Sequence, residues 1–199
     1  MAWQKAFASK GKRIPLQKIR PQIGKGADQL MPVFLSQEEM EQFGDELDEL
    51  QGQIFKRKYL AQVRPFPKVR ELFKAIRDAG GRIALASSSD EDQLKDYKTI
   101  AQIEDLVEKS TSSDDADKSK PAPDIFEAAM RALGNPPRDS VIVAGDTPHD
   151  AVAARKAGLP VVGVLCGGFS EGDLKSHGCL AVYADPADLL AHLTALLKR

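Results

Sequence analysis

Residues 141–150, Val-Ile-Val-Ala-Gly-Asp-Thr-Pro-His-Asp, constrain this chain more than any other stretch. Four consecutive apolar residues, Val141 to Ala144, read as a strand buried on both faces, the habit of parallel sheets. Gly145 supplies a turn. Residues 151–157 then read as a helix closed by Gly158 and Pro160. Asp146 therefore stands at the carboxyl end of a parallel-type strand, and Asp150 opens the next helix. That edge is where open α/β sheets bind ligands. Two hard oxygen ligands there suit Mg²⁺, which takes one or two carboxylates and keeps several waters. The competing reading is a core strand followed by a capped helix, with Asp146 or Asp150 as N-cap.

Two further segments carry the same kind of chemistry. Ile83 to Ala86 is another short apolar run, and it ends in Ser87-Ser88-Ser89. A hydroxyl at a strand end can hold a phosphoryl oxygen, and the N–H groups of a following helix are an anion site in their own right. The plain alternative is a capping box from Ser88 to Glu91, with Asp90, Glu91 and Asp92 favouring a helix first turn. Lys118-Ser119-Lys120-Pro121-Ala122-Pro123-Asp124 follows. Its prolines stiffen the backbone around Lys120 and lead into a helix start. A fixed ammonium there can neutralise a phosphate or a nucleophilic carboxylate; a solvated loop lysine is the alternative.

Periodicity supplies the rest of the frame. Ala2 to Ser9 reads as a helix, Gly24-Lys25-Gly26 as a turn and residues 27–35 as a second helix. Ser36 with Glu39 is a capping-box pattern opening a long helix. On that helix Met40, Phe43, Leu47, Leu50 and Ile54 make one apolar stripe, read as bundle core. Arg64-Pro65-Phe66-Pro67 marks a hinge, giving a helical part over 1–64 and a second part over 65–199. Beyond it come a helix face (Val69, Leu72, Phe73, Ile76), the strand ending at Ala86, and a helix over 92–101. A short strand at Leu106-Val107 and a helix over 125–133 follow. After the 141–144 strand come a strand near 161–165 and a leucine-lined C-terminal helix. Alternating strands and helices predict an α/β fold with a doubly wound, mostly parallel sheet.

Composition narrows the function classes. The chain has 199 residues, 42% of them apolar and 29% charged, with net charge −1. That is enough for one core with an accessory element, and it argues against bulk nucleic-acid binding. No apolar run is long enough for a membrane-spanning helix. Only two cysteines, Cys166 and Cys179, fit a reducing compartment, so a cytoplasmic location is expected. Residues 1–27 hold seven cations and no anions. Steering of an anionic substrate, an organelle transit peptide and a solvated helix face all account for that bias. His149, His177 and His192 lack zinc-ligand spacing.

Taken together and in this order, Ser87, the Lys120-Pro121-Ala122-Pro123-Asp124-Ile125-Phe126 run and Gly145-Asp146-x-x-x-Asp150 resemble the haloacid dehalogenase-like (HAD) hydrolases. The resemblance runs over essentially the whole chain. It implies a Rossmann-like core with a small helical cap of the C1 type over residues 1–64, and Mg²⁺-dependent hydrolysis of a small phosphorylated metabolite. Phosphoglycolate-phosphatase-like members look most similar. By the resemblance, Ser87 and Ser88 hold the phosphoryl oxygens and Lys120 offsets charge on nucleophile and phosphoryl group. Asp146 binds the metal, and Asp150 assists directly or through water. Lys25 is the candidate cap contact to substrate.

One family motif has no counterpart here. The nucleophilic Asp of D-x-D-G-T, at the end of a central first strand, would lie upstream of Ala2. Neither Asp90-Glu91-Asp92 nor Asp115-Ala116-Asp117 fits, the latter because it follows a polar Ser/Thr run rather than a strand. Strands lie about 4.8 Å apart, so omitting a central one leaves backbone groups unpaired on both sides, at about 1–3 kcal/mol each if buried. The expectation is an N-terminally truncated record of a longer phosphatase, inactive as it stands. The alternatives are a catalytically dead relative that binds a phosphorylated ligand or a protein, and a β-phosphoglucomutase-like phosphotransferase. A haloalkanoate dehalogenase ranks behind these, because it does not need the Asp146/Asp150 pair. The residue before the metal Asp tends to be acidic in the mutases; Gly145 stands there and favours the phosphatases.

Overall fold

A computed structural model describes residues 1–198. The chain divides into two compact units, residues 1–63 and residues from 64 onward.

The first unit is helical. Its elements are α1 (Ala2–Ser9), α2 (Leu16–Ile19), α3 (Ala27–Leu30) and the long α4 (Gln37–Lys58). Ser36 and Glu39 cap α4 reciprocally: the Glu39 N–H donates to Ser36 Oγ (3.2 Å) and the Ser36 N–H to Glu39 Oε2 (2.9 Å). Most of the expected stripe joins the core: Leu47 is buried with Trp3, Phe7, Ile19 and Leu30, and Met40, Phe43 and Leu50 flank it, while Ile54 lies outside this cluster. The helix expected over 27–35 is instead α3 followed by a 3₁₀ turn at Met31–Val33. Pro32 explains the difference, since it has no N–H to continue the α ladder. Three of the seven early cations are partnered within the unit as follows: Lys10 meets Glu46 and Lys12 meets Glu39, both at 2.6 Å, and Lys5 lies over the Tyr59 ring.

The second unit is α/β. Its elements run α5 (Val69–Asp78), β1 (Ala84–Ala86), α6 (Glu91–Ala101), β2 (Lys109–Thr111), α7 (Asp124–Ala132), β3 (Val143–Gly145), α8 (Pro148–Lys156), β4 (Val161–Val164), α9 (Glu171–Ser176), β5 (Val182–Tyr183) and α10 (Pro186–Leu196). All pairings are parallel, as expected. They form two sheets rather than one, of order β1-β2 and β3-β4-β5. No ladder joins β1 to β3 among the described residues, which is where the central first strand was expected to be missing. Helix α7 packs on both β1 and β2 and also on α8, so it ties the two sheets together.

Two strands depart from the sequence reading. The strand was expected over 141–144 but begins only at Val143, and Ile142 is 38% exposed. Ala144 is exposed as well. Among the described residues β3 pairs only with β4, so its other edge carries no ladder. The short strand expected at Leu106-Val107 lies instead at Lys109–Thr111, inside the polar run. Pairing with Ala84–Ala86 decides this, and Thr111 is buried there, its Oγ1 donating to Leu85 O at 3.2 Å. The ground for setting aside Asp115-Ala116-Asp117, that no strand precedes it, therefore fails. Asp115 ends a 3₁₀ turn (Ser113–Asp115) and is used up locally, its Oδ2 accepting the Ser112 N–H at 2.9 Å.

Candidate functional site

The end of β3 is built outward from Gly145. An ideal Cβ at that residue would lie 2.8 Å from Asp150 Cγ, so only glycine lets the strand end pass this close to the carboxylate. The left-handed region is not involved; the requirement is space. Thr147, rather than Asp146 or Asp150, is the N-cap of α8. Its Oγ1 accepts the Asp150 N–H (3.2 Å) and donates to Asp150 Oδ2 (2.7 Å), and the Thr147 N–H donates to the same oxygen (3.0 Å). The Thr-x-x-Asp spacing was the signal that sequence reading passed over.

Lys120 completes this network. Its Nζ donates to Asp150 Oδ1 at 2.8 Å, and Lys120 and Asp150 are only 8% and 6% exposed. The loop that carries Lys120 is fastened at both ends. The Lys118 N–H donates to Asp124 Oδ2 (3.0 Å), and Lys156 Nζ of α8 donates to Pro121 O (3.0 Å). Both oxygens of Asp150 are thus engaged by the protein. Burial works against its charge, but the Lys120 charge and the hydrogen bonds from Lys120 and Thr147 outweigh it and hold its carboxyl below the usual range.

Asp146 is in the opposite condition. Burial, and then the nearby Asp150 charge, push its carboxyl above the usual range, and Lys120 offsets this only in part. A half-buried carboxylate with surplus negative charge is a fit place for a cation. Among the described residues no group of three or more His, Cys, Asp or Glu side chains could hold a metal ion. The donor set is therefore sparse, which suits Mg²⁺ with its retained waters better than zinc.

The remaining candidates make other contacts. Ser87 ends β1, its N–H donating to Thr111 O and its Oγ accepting the Ser89 N–H, both at 3.0 Å. The expected Ser88 cap is not formed. Asp90 caps α6 instead, accepting the Gln93 N–H at 2.7 Å, because its side chain sits one position before the helix. Ser88 Oγ is buried and has no hydrogen-bond partner. Lys25 belongs to the helical unit, where its Nζ donates to Gln22 Oε1 at 2.6 Å. The structure thus brings Lys120, Asp146 and Asp150 together, engages Ser87 in its own turn and leaves the Ser88 hydroxyl unpartnered among the described residues. Sequence reading also passed over Gly167, which lies against Asp146.

A parallel α/β unit with carboxylates and a buried lysine at the strand ends defines a Rossmann-like enzyme class, and comparison with known proteins specifies the family. The haloacid dehalogenase-like hydrolase family model matches residues 2–164, and the chain belongs to that family. It is 30% identical over 174 residues to a phosphoglycolate phosphatase of Nitrosospira multiformis, covering 85% of this chain and 76% of that one. It is 29% identical over 136 residues to haloacetate dehalogenase H-2 of a Moraxella species, covering 68% and 59%. Among solved structures, a hydrolase from Pseudomonas syringae superposes with a TM-score of 0.89 at 28% identity, over 98% of this chain and 89% of that one. The chain spans 59% and 76% of the length of the two curated relatives named.

Proposed function

We propose that these residues form the phosphate- and metal-binding half of a Mg²⁺-dependent phosphate-monoester hydrolase acting on a small phosphorylated metabolite. The observation that carries the reading is the Lys120–Asp150 pair beside the under-compensated Asp146. Asp146 would hold the metal, which supplies charge to the phosphoryl oxygens. Asp150, with both oxygens engaged, would act by holding Lys120 rather than by direct ligation. Lys120 would present its ammonium to the phosphoryl group, and Ser87, with Ser88 beside it, would receive a phosphoryl oxygen. The nucleophilic carboxylate of the covalent route lies outside this set, on a strand suited to the open edge of β3. The helical unit is the substrate-selecting cap and Lys25 its contact, an assignment that rests on the family resemblance.

Two comparisons favour the phosphatase branch. The phosphoglycolate phosphatase of Nitrosospira multiformis matches over more of this chain than the dehalogenase does. In the mutase-like alternative the residue before the metal Asp tends to be acidic, whereas Gly145 stands here, packed against Asp150. The test is phosphate release from phosphoglycolate and a generic aryl phosphate, with and without Mg²⁺. The 199-residue chain is expected to be inactive, and a version preceded by an apolar strand ending in D-x-D-G-T to be active. Mg²⁺-dependent turnover by the chain alone that is lost in Asp146→Asn would overturn the external nucleophile. Inactivity of both versions would count against the phosphatase reading.

A further inference from the structure

The segment after β4, Leu165–Gly167, forms a 3₁₀ turn that ends against Asp146. Its two glycines do different things. Gly168 has φ +76°, a left-handed conformation that glycine adopts without penalty. Gly167 does not lie in that region. What it needs is space: a Cβ there would stand 3.0 Å from both the carbonyl carbon and Oδ2 of Asp146, and closer still to the carbonyl oxygen. Two of those three atoms are backbone, so the conflict cannot be relieved by turning a side chain. Either the Leu165–Gly168 segment or the end of β3 must move.

We propose that Gly167 is the positioning residue for the metal carboxylate: its bare Cα lets the turn after β4 lie flat against Asp146 and holds that carboxylate in place. This rests on the reading of Asp146 as the Mg²⁺ ligand. Gly145 plays the matching part for Asp150, so each carboxylate of the motif is approached by a glycine from a different strand end. The consequence is specific. Adding one methyl group at 167 displaces Asp146 and weakens metal binding while leaving the buried Lys120–Asp150 pair intact. Partners that orient a ligand are typically worth about 10–100-fold in metal affinity.

The test is a titration of the 199-residue chain with Mg²⁺ alone, followed by calorimetry and by thermal shift, on wild type, Gly167→Ala, Gly168→Ala and Asp146→Asn. Gly168→Ala is the control, since it strains the same turn through its dihedral. The expected result is a loss of Mg²⁺ affinity of about tenfold or more in Gly167→Ala, with affinity in Gly168→Ala within about twofold of wild type. Far-UV circular dichroism should be unchanged in both. Equal affinity in Gly167→Ala and wild type overturns the proposal, as do equal losses in both glycine variants. So does a Gly167→Ala chain that fails to fold while Gly168→Ala folds, because Gly167 would then serve the fold and not the carboxylate. A wild-type chain that does not bind Mg²⁺, or binds it as well as Asp146→Asn does, overturns the ligand role of Asp146 itself and the present inference with it.

Discussion

The ends of β1 and β3 are built from the same parts: a short parallel strand, a polar turn and a capped helix. They differ in how far the protein completes them. At β3 the polar side chains close on one another. Asp150, Thr147 and Lys120 satisfy each other in a buried network, and β3 leans on β4, whose Val161 and Val162 are each 1% exposed. At β1 the strand belongs to a two-stranded sheet and is only half-buried, Ser87 serves its own turn, and the Ser88 hydroxyl is buried without a partner. One end is self-sufficient and positions a charge. The other has hydroxyls available and no counter-charge in its turn. A phosphoryl group needs both kinds of end, a rigid cation and hydroxyls free to be recruited.

The contrast predicts a ranking of effects. The largest should come from Lys120→Met, which strands a buried carboxylate; about 3–5 kcal/mol of stability should be lost, read by urea denaturation. The equivalent cut at the other end, Ser87→Ala, should cost about 1 kcal/mol. Equal losses would break the comparison.

Next in size is the response to metal. Mg²⁺ at 100 times its dissociation constant should stabilise the wild type by about 2.7 kcal/mol. Asp146→Asn should abolish that response and stabilise the metal-free protein at neutral pH by about 1 kcal/mol, since a poorly compensated buried charge is removed. A metal-free Asp146→Asn chain less stable than wild type would show that the carboxylate is structurally satisfied after all.

The pH dependence separates the two carboxylates of β3. Asp150 has a lowered pKa, so its contribution is full above the unfolded carboxylate value of about 3.9 and is lost as pH falls through the lower folded value. Asp146 has a raised pKa, so its contribution runs the other way: stability is lost as pH rises from about 3.9 through the raised folded value. Denaturation curves from pH 2 to 7 should therefore lose the acid-side slope in Asp150→Asn and the opposing slope in Asp146→Asn. Interchange of the two slopes would mean that the charges are compensated in the reverse order.

The smallest effects belong to the β1 end. Asp90→Ala should cost about 1 kcal/mol through loss of the α6 cap. Ser88→Ala should be neutral within about 0.5 kcal/mol or slightly stabilising, because an unpaired hydroxyl leaves the interior. A clear destabilisation by Ser88→Ala in thermal melts would reveal a partner for that hydroxyl.

Much of this was legible from local pattern. The capping box at Ser36 and Glu39, the stripe on α4 and the alternation of strands with helices depend on residues a few positions apart, and they appear where the sequence places them. The three segments proposed to carry chemistry were singled out for the same reason, since a strand end followed by a polar turn is a local signal. Distance in sequence hid the rest. Lys120 and Asp150 are 30 positions apart, and nothing in either segment says that one fills the coordination of the other. The β2 strand sits in a polar run because β1 needs a partner there, a requirement that hydropathy cannot express.

The sequence by itself determined the parallel α/β class, the helical unit before it, the family and the identities of the candidate charged groups, all of which follow from periodicity and short motifs. Only the tertiary structure decided how those groups divide the work. Asp146 and Asp150 stand four positions apart with the same side chain, yet burial beside Lys120 and Thr147 lowers one pKa while burial beside Asp150 raises the other. That difference is set by which charges and dipoles the fold brings within a few ångströms in a poorly solvated place, and chain order does not encode it.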